Sequence, residues 1–577
     1  MYINLKDKSR GVPPKMKLHI EKRKICLLVI TISYFVVVKA CLGMIIGTDD
    51  AYIQSIVSGN LLGRPDAHTM WTTYLFGIIF SSLYKLIPWI NWYCIFLLAS
   101  FFCFMYFSMV LITKNQQGTV SRIVLFLLLF TIFILPLMVT INFTYVAQMY
   151  CGLSLFVIYN LSKNNCRNYI LTAGLFLLLG CLVRVEVFYM TIPFVLLGIL
   201  YKIVKKEITR DAIVRLIFVC TAFFLVFFVE IAGYSSNEWK NFQNNEFYRS
   251  VIYDYYGWPD YEENKSLYNQ FGVYEEEKML LDAKIYNIDN VDVNGLIETI
   301  GKNQIEQYRS HVSFSKVVET VMNFYGFLIS SDAIIFNLIL VGFTVLAYAR
   351  LNKKQQSDWS DFTCVSIAIL LFVAEILYLY WMGRVIFRVI FGVQFMLLIT
   401  VTGLINFQSM EQTIEKKEKK FDKQCSMYII LLFALLFLAM HSIYNAFEKS
   451  DENKRLVSHS NEVIHYCNEN EDKFFIITNG VGDYSCNFVS TKNSANQIGF
   501  GFMSRSPLAE EFLDQKGIHL LKDALISDGI YVIDMKTDRS KIQINTILIY
   551  IQKDYPDAVW DIIDEKDSFV VLKIRTE

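Results

Sequence analysis

The sequence predicts a polytopic α-helical membrane protein of about eleven spans with a small α/β domain at its C-terminal end. Three observations carry this expectation. The 577 residues are 54% hydrophobic and 15% aromatic with a mean hydropathy of +0.37, far from the composition of a soluble domain. Apolar runs long enough to cross a bilayer core recur, each bounded by Lys, Arg, Asn or Pro. From 448 onward the runs shorten, and helical patterns alternate with β-rich segments. A formal net charge of zero supplies no bulk field for nucleic acid.

In chain order, residues 1–24 are a basic tail (Lys6, Lys8, Arg10, Lys15, Lys17, Lys22, Arg23, Lys24), which the positive-inside rule keeps in the cytoplasm. The runs 25–46, 91–113, 122–141, 143–160, 169–184, 186–203, 212–233, 331–349, 362–382, 385–406 and 426–447 read as spans. The first is too long for a signal-peptide core and lacks a small-residue cleavage site, so it reads as a retained anchor. A twelfth apolar stretch, 70–88 (MWTTYLFGIIFSSLYKLIP), carries Lys85 and paired Ser and Thr residues.

If 70–88 crosses, three basic clusters land outside: Lys202, Lys205, Lys206 and Arg210; Arg350, Lys353 and Lys354; and Lys416, Lys417, Lys419, Lys420 and Lys423. If it lies at the outer surface, all three fall inside, with Lys114 and Arg122. The second arrangement leaves eleven spans, N-terminus in and C-terminus out, within a membrane domain 25–447. Its first external loop, 47–90, carries a surface helix. Its large external loop, 234–330, has 15 acids against 8 bases.

In the tail, 448–577, VSHSNEVIHYCNEN, HLLKDALIS and INTILIYIQKDY read as helices, and FFIIT, IYVID and FVVLKI as strands. At ~130 residues this external α/β domain is large enough to hold its own core. Most of the twelve cysteines lie in spans, as small hydrophobes. Only Cys467 and Cys486 are in the tail, where one disulfide is allowed and not required. No zinc spacing, Walker loop, GxGxxG or GxSxG is present.

This topology gathers charges at the outer face. The stretch 47–68, GTDDAYIQSIVSGNLLGRPDAH, sets Asp49 and Asp50 directly after the first span. A carboxylate there serves as a general base on an acceptor hydroxyl, or holds a divalent cation against phosphate oxygens. The plainer reading makes Asp49 the cap of a helix beginning near Ala51, with Asp50 favoured by its dipole. One acid suffices for a cap. Arg184 and Glu186 occupy a break between two spans, and their spacing suggests that each has another partner. Arg384 and Arg388, in WMGRVIFRVIFG, share one helix face and repel unless an anion lies between them. The planar arginine fork suits phosphate, with Glu375 on the preceding span as the competing counter-ion. His68 reads as hydrogen-bonded structure, a supporting group at most. The aromatics of 253–258 are interfacial residues able to stack on sugar rings.

The first span ending in Asp49-Asp50, the long first loop, and TYLFGIIFSSLYKLIP at 73–88 resemble the C-type glycosyltransferases. These polytopic enzymes include the protein O-mannosyltransferases and the lipid A aminoarabinose transferases. The resemblance covers about the first quarter of the chain. It implies an odd span count with the tail outside and a polyprenyl-phosphate sugar donor. It further implies Asp49 or Asp50 as the essential acid and Lys85 as a phosphate contact. The family often has a second acid after its third span. The matching stretch here, LMVTINFTYVAQMY, offers Asn142, Thr144 and Gln148 and no acid, a departure from a metal-binding pattern. As a whole the chain also resembles polytopic proteins of low-GC Gram-positive bacteria.

The expectation is thus a hexosyl- or pentosyltransferase in the bacterial plasma membrane. It takes a lipid-linked sugar donor and a glycan, lipid or protein acceptor of the cell envelope, with no nucleic-acid partner. Asp49 and Asp50 are the candidate catalytic acids. Arg384, Arg388, Arg184 and Lys85 are the candidate donor-phosphate ligands, and Glu186, Glu375 and His68 the supporting groups. No cofactor is required, and a divalent cation is the one that the acids leave open. Two other classes fit the same sequence: a glycan polymerase or flippase-like transporter of lipid-linked oligosaccharides, and a non-catalytic membrane scaffold. The topology has a direct test. A Thr209→Cys variant is expected to react with a membrane-impermeant thiol reagent only after permeabilisation, and labelling of intact cells would overturn the assignment.

Overall fold

Helices dominate the computed structural model of the chain, which describes residues 14–113, 119–310, 313–330, 334–353, 359–383, 386–404, 423–478, 482–491 and 493–576. Arg384, the tail before residue 14, and the basic residues Lys114, Lys354 and Lys416–Lys420 lie outside the described residues. Among the described residues, seven helices are long and apolar enough to cross a membrane: Arg23–Cys41, Trp92–Ile112, Cys166–Val183, Val185–Val204, Arg210–Gly233, Trp359–Trp381 and Phe387–Leu404. Their outward faces carry bare apolar side chains such as Val214, Phe218, Phe224 and Phe228. In water such contiguous apolar surface would drive association; in lipid it is matched to the solvent. The chain is a multi-pass membrane protein.

Helix α1, Pro14–Cys41, ends five residues short of the expected first span. The chain leaves the helix at Gly43, where an added Cβ would lie 2.6 Å from the Ser450 carbonyl oxygen, so only glycine admits this approach. It then forms a two-residue strand, β1 (Ile45–Ile46). Helix α2 (Thr48–Ser58) follows, then α3 (Tyr74–Leu86), α4 (Trp92–Ile112) and α5 (Thr119–Phe133). At thirteen residues α3 spans only about 20 Å, less than a bilayer core.

The expected span 122–141 is broken. Helix α5 stops at Phe133, and the chain restarts as α6 (Leu135–Val139) with Pro136 in its first turn. Proline has no amide N–H and crowds the preceding turn, which ends α5 here. The following strand β2 (Thr140–Ile141) pairs in parallel with β1 and leads straight into α7 (Phe143–Tyr159). Helix α7 is buried on nearly every side and packs on α4, α8 (Cys166–Val183), α9 (Val185–Val204) and α18 (Phe387–Leu404). It is the centre of the bundle, so its sequence shows no polar face.

Between α10 (Arg210–Gly233) and α18 come α11 (Asn237–Val251), α12 (Lys265–Gln270), α13 (Glu275–Asp282), α14 (Val293–Gln304), α15 (Phe314–Ile329), α16 (Ile334–Lys353) and α17 (Trp359–Trp381). Two π-helical turns, Ile252–Tyr256 and Ile305–Ser310, extend α11 and α14. Helix α19, Lys423–Glu469, runs 47 residues without a break. The expected span 426–447 and the first tail helix are therefore one rod, as a stretch free of Gly and Pro permits.

The tail adds β3 (Phe474–Ile477), β4 (Gln497–Gly499), α20 (Pro507–Gln515), α21 (Leu521–Ile526), β5 (Ile530–Asp534), α22 (Asp538–Gln552), β6 (Val559–Glu565) and β7 (Val570–Arg575). Strand order is β4-β3-β5-β7-β6, with β3 parallel to both neighbours and β7 antiparallel to both of its own. The three strands expected from sequence are β3, β5 and β7. The two unforeseen ones, β4 and β6, lie at the edges, where a single neighbour demands less of the sequence. Cys467 and Cys486 are free thiols.

The segment between β3 and β4 clamps this unit onto the first loop. Ser485 bridges Ile45, Val489 bridges Ile90, the Lys39 ammonium donates to the Cys486 carbonyl, and Arg64 pairs with Glu511 at 2.6 Å. Gly77 sets the approach of α3 to the first loop, since a Cβ there would lie 1.9 Å from the Ala67 carbonyl oxygen. Gly77→Ala is expected to cost more than about 2 kcal/mol, because backbone cannot rotate away as a side chain can. Gly326→Ala, which meets nothing within 4 Å, is expected to be neutral or mildly stabilising. Melting of the two variants in detergent compares them directly.

Candidate functional site

The site begins with two helices that start side by side. Because β1 and β2 are parallel neighbours, α2 and α7 leave the same short ladder together, and the Gly47 amide donates to the Ile141 carbonyl at 2.8 Å. Two helix N-termini present their positive ends at one place, which favours carboxylates there. Asp49 and Asp50 supply them from the first turn of α2. Helix α2 begins at Thr48 with Gly47 as its cap residue and no side-chain cap. The cap reading of Asp49 therefore fails.

The two acids part company at once. Asp50 is fully buried. Its Oδ1 accepts from the Tyr93 hydroxyl of α4 at 2.7 Å and from the Phe143 amide, the first of α7, at 2.8 Å. Its Oδ2 is buried without a partner. Burial pushes its pKa from 3.8 up to about 8 against the pull of these two bonds, and the nearby charge of Asp49 adds to the rise. Asp49 is partly exposed and pairs through Oδ2 with the Arg388 Nη1 at 3.2 Å.

Arg388 is the second residue of α18, a helix N-terminus that disfavours a cation. Its main-chain carbonyl accepts from the Gln148 amide of α7 at 2.7 Å, which fixes the start of α18 to the central helix. Its Nε is buried with no partner, so part of its fork is unused. Glu375 does not neutralise it: both Glu375 oxygens are buried and without a hydrogen-bond partner.

Arg184 joins α8 to α9 in an extended conformation and is buried. Its guanidinium donates to Thr144 Oγ1, stacks over the Phe143 ring at 4.9 Å, and pairs with Glu186 at 3.4 Å across the break. The expectation that these two residues pair elsewhere holds for Arg184 in part and not for Glu186. Arg184 and Asp50 thus grip the first turn of α7 from two sides. Lys85 is exposed in the last turn of α3, and no contact among the described residues joins it to this group.

His68 is structural here. It bonds Asp66 at 2.7 Å and the Gly233 carbonyl at 3.3 Å, and stacks on Trp239 with ring centres 4.3 Å apart. The polar residues that stand where the family has its second acid are each engaged within the protein. Asn142 caps α7, Thr144 receives Arg184, and Gln148 holds Arg388. No group of three or more His, Cys, Asp and Glu converges as a metal site among the described residues.

Sequence reading missed one layer of the site. Glu246 and Arg249 of α11 form a bidentate pair at 2.5 and 2.6 Å, and Glu246 lies near enough to feel the charge of Asp49. Their (i, i+3) spacing was visible, but nothing local shows that α11 comes within electrostatic reach of Asp49.

No protein-family model and no curated protein matches the sequence. Two solved structures are similar over nearly the full length of both chains, both of ArnT from Cupriavidus metallidurans. The apo form is 9% identical, covers 96% of this chain and 98% of its own, and has a TM-score of 0.42. The form bound to undecaprenyl phosphate is 10% identical, with 95% and 97% coverage and a TM-score of 0.40. ArnT is an aminoarabinose transferase.

The Asp50 carboxyl has a testable pH signature. Its folded-state pKa lies above the unfolded value, so the stability that it contributes is fully present below pH ~4 and is lost as pH rises through about 8. Asp50→Asn keeps an oxygen for Tyr93 and Phe143 and has no proton to lose. It is expected to flatten the fall in melting temperature between about pH 4 and 8, a slope of up to about 1.4 kcal/mol per unit. An unchanged slope in the variant would count against a protonated Asp50.

Proposed function

We propose that this protein is a membrane glycosyltransferase that moves a sugar from a polyprenyl-phosphate donor to a cell-envelope acceptor. The reaction sits at the outer face of the bacterial plasma membrane, in a chain of eleven spans with its tail outside. The observation that carries this reading is the Asp49–Arg388 pair. A part-exposed carboxylate meets a guanidinium with a spare donor, at one end of a bundle of apolar helices.

The chemistry follows from the pair. A lipid phosphate approaching from the membrane competes with Asp49 for the Arg388 fork. As Arg388 turns to the phosphate, Oδ2 of Asp49 loses its counter-ion and becomes the better proton acceptor. The acceptor hydroxyl oxygen then bonds to the anomeric carbon while its proton passes to Asp49. The bond from that carbon to the phosphate oxygen breaks, and its electrons remain on the lipid phosphate, whose charge Arg388 offsets. Attack opposite the leaving group inverts the anomeric centre. Asp50, buried and protonated near neutrality, serves as the anchor that aims α2.

The test is transfer by purified full-length protein from a panel of polyprenyl-phosphate sugars. Asp49→Asn is expected to lower transfer by roughly 10²-fold or more with the fold retained. Arg388→Gln is expected to weaken donor binding as well as turnover, by about tenfold or more. Asp50→Asn should retain most of the activity. A polymerase or flippase would need Arg388 and tolerate Asp49→Asn, and that outcome would overturn the transferase reading.

A further inference from the structure

Lys284 stands where local physics prefers another residue. It follows the C-cap of α13 in the left-handed region, at φ +63°. The Ile285 amide reaches back to the Leu280 carbonyl at 2.8 Å, and the Lys284 amide to Leu281 at 3.1 Å. This is the Schellman turn, whose left-handed position is usually glycine because a Cβ is strained there. Lysine bears that strain and then points its charge inward. Its ammonium lies 3.7 Å from the centre of the Tyr253 ring, in the π-helical turn Ile252–Tyr256, and the Arg249 guanidinium lies 5.8 Å from the same ring.

The charges do not balance. Lys284 is half-buried and has no carboxylate partner among the described residues, and the charged groups that face it are Arg539, from the first turn of α22, and Arg249. Burial first, then these two arginines, pushes its pKa down to about 8. Of the acids nearby, Glu246 is held by both prongs of Arg249, and Asp254 is exposed. Glu246 thus offsets Arg249, while Lys284 and the nearby Arg539 have no carboxylate against them among the described residues, an arrangement that an anion would complete. The cluster is also within electrostatic reach of α2: Glu246 feels the charge of Asp49, and Arg539 acts on the Tyr52 hydroxyl. It draws on three separate parts of the chain and lies near the helix that carries the candidate base.

We propose that Lys284 and Arg539, with the Glu246-paired Arg249 behind them, form an anion-binding site beside the Asp49 cleft, which takes a phosphate or carboxylate group at the edge of Tyr253. This site shares no residue with the Asp49–Arg388 pair. Assigning the anion to a sugar-transfer substrate rests on the transferase reading; the existence of the site does not. Under that reading the anion belongs to the acceptor or to the donor lipid, and its capture fixes one substrate against α2 before transfer.

The test uses purified full-length protein in detergent at constant ionic strength, with inorganic phosphate as the probe and no sugar transfer. Lys284→Gly suits the left-handed turn, so melting temperature should hold or rise, while phosphate affinity should fall by about tenfold or more. Lys284→Arg should restore binding to within about threefold. A short-chain polyprenyl phosphate separates the sources. If its affinity also falls in Lys284→Gly, the site holds the donor phosphate; if it is unchanged, the site serves a water-borne acceptor. Equal binding of both probes by wild type and Lys284→Gly would overturn the proposal. So would a loss of melting temperature with no loss of binding, which would make Lys284 a structural partner of Tyr253.

Discussion

A carboxyl group with no access to water holds the site end of this protein together. Asp50 Oδ1 receives a hydroxyl from α4 and the first amide of α7, so one atom ties α2, α4 and the central helix. Buried polar groups left unpaired are costly, so each of these three elements is held in the one arrangement that keeps both bonds. The parallel β1–β2 ladder starts α2 and α7 together, and Asp50 closes the gap between them. Arg184 completes the grip from α8 and α9 through Thr144 and the Phe143 ring. Asp49 and Arg388 inherit their positions from this frame.

The two ends of the bundle are built differently. At the far end, Lys202 pairs with Glu207 and donates to the Leu161 carbonyl, and Lys205 pairs with Asp361. The first pair closes the turn after α9, and the second ties the end of α9 to the start of α17. At the site end the charges are incomplete: Arg388 has a buried unpartnered Nε, and Lys284 has no acid beside it among the described residues. Unsatisfied charge is expensive in a folded protein, and a cation with a spare donor beside an aspartate suits an anionic substrate. The sheet unit is tied to that end through the segment between β3 and β4, which meets Ile45, Ile90 and Lys39.

How much of this could be read from the sequence depended on how local each signal was. Hydropathy runs and loop charge located the helices, and Asp49 and Arg388 were legible as charges out of place against apolar runs. The break at Pro136 and the unbroken rod of α19 were both present in the sequence as proline and its absence, and lay hidden inside apolar runs of ordinary length. What could not be read was partnership. Nothing in GTDDAYIQ distinguishes a buried Asp50 from an exposed Asp49, because the difference is made by Tyr93 and Phe143, more than forty and ninety residues away. Lys284 was invisible for the same reason. A lysine after a short helix carries no signal until its backbone angle and its arginine neighbours are known.

Two adjacent aspartates therefore do two jobs, and the second depends on the first. A helix turn sets neighbouring side chains about 100° apart, so burying one exposes the other. Burial keeps the Asp50 proton on near neutrality, and this matters to Arg388, which acts on both acids. If both carboxylates were ionised, they would outnumber the guanidinium, and an arriving phosphate would meet net repulsion. With Asp50 neutral, Arg388 faces a single carboxylate, and an anion has only Asp49 to displace from its fork. The same neutrality removes a like charge beside Asp49. The doubled acid, which a helix cap does not need, places one acid in the frame and leaves the other at the surface, where the proposed transfer would use it.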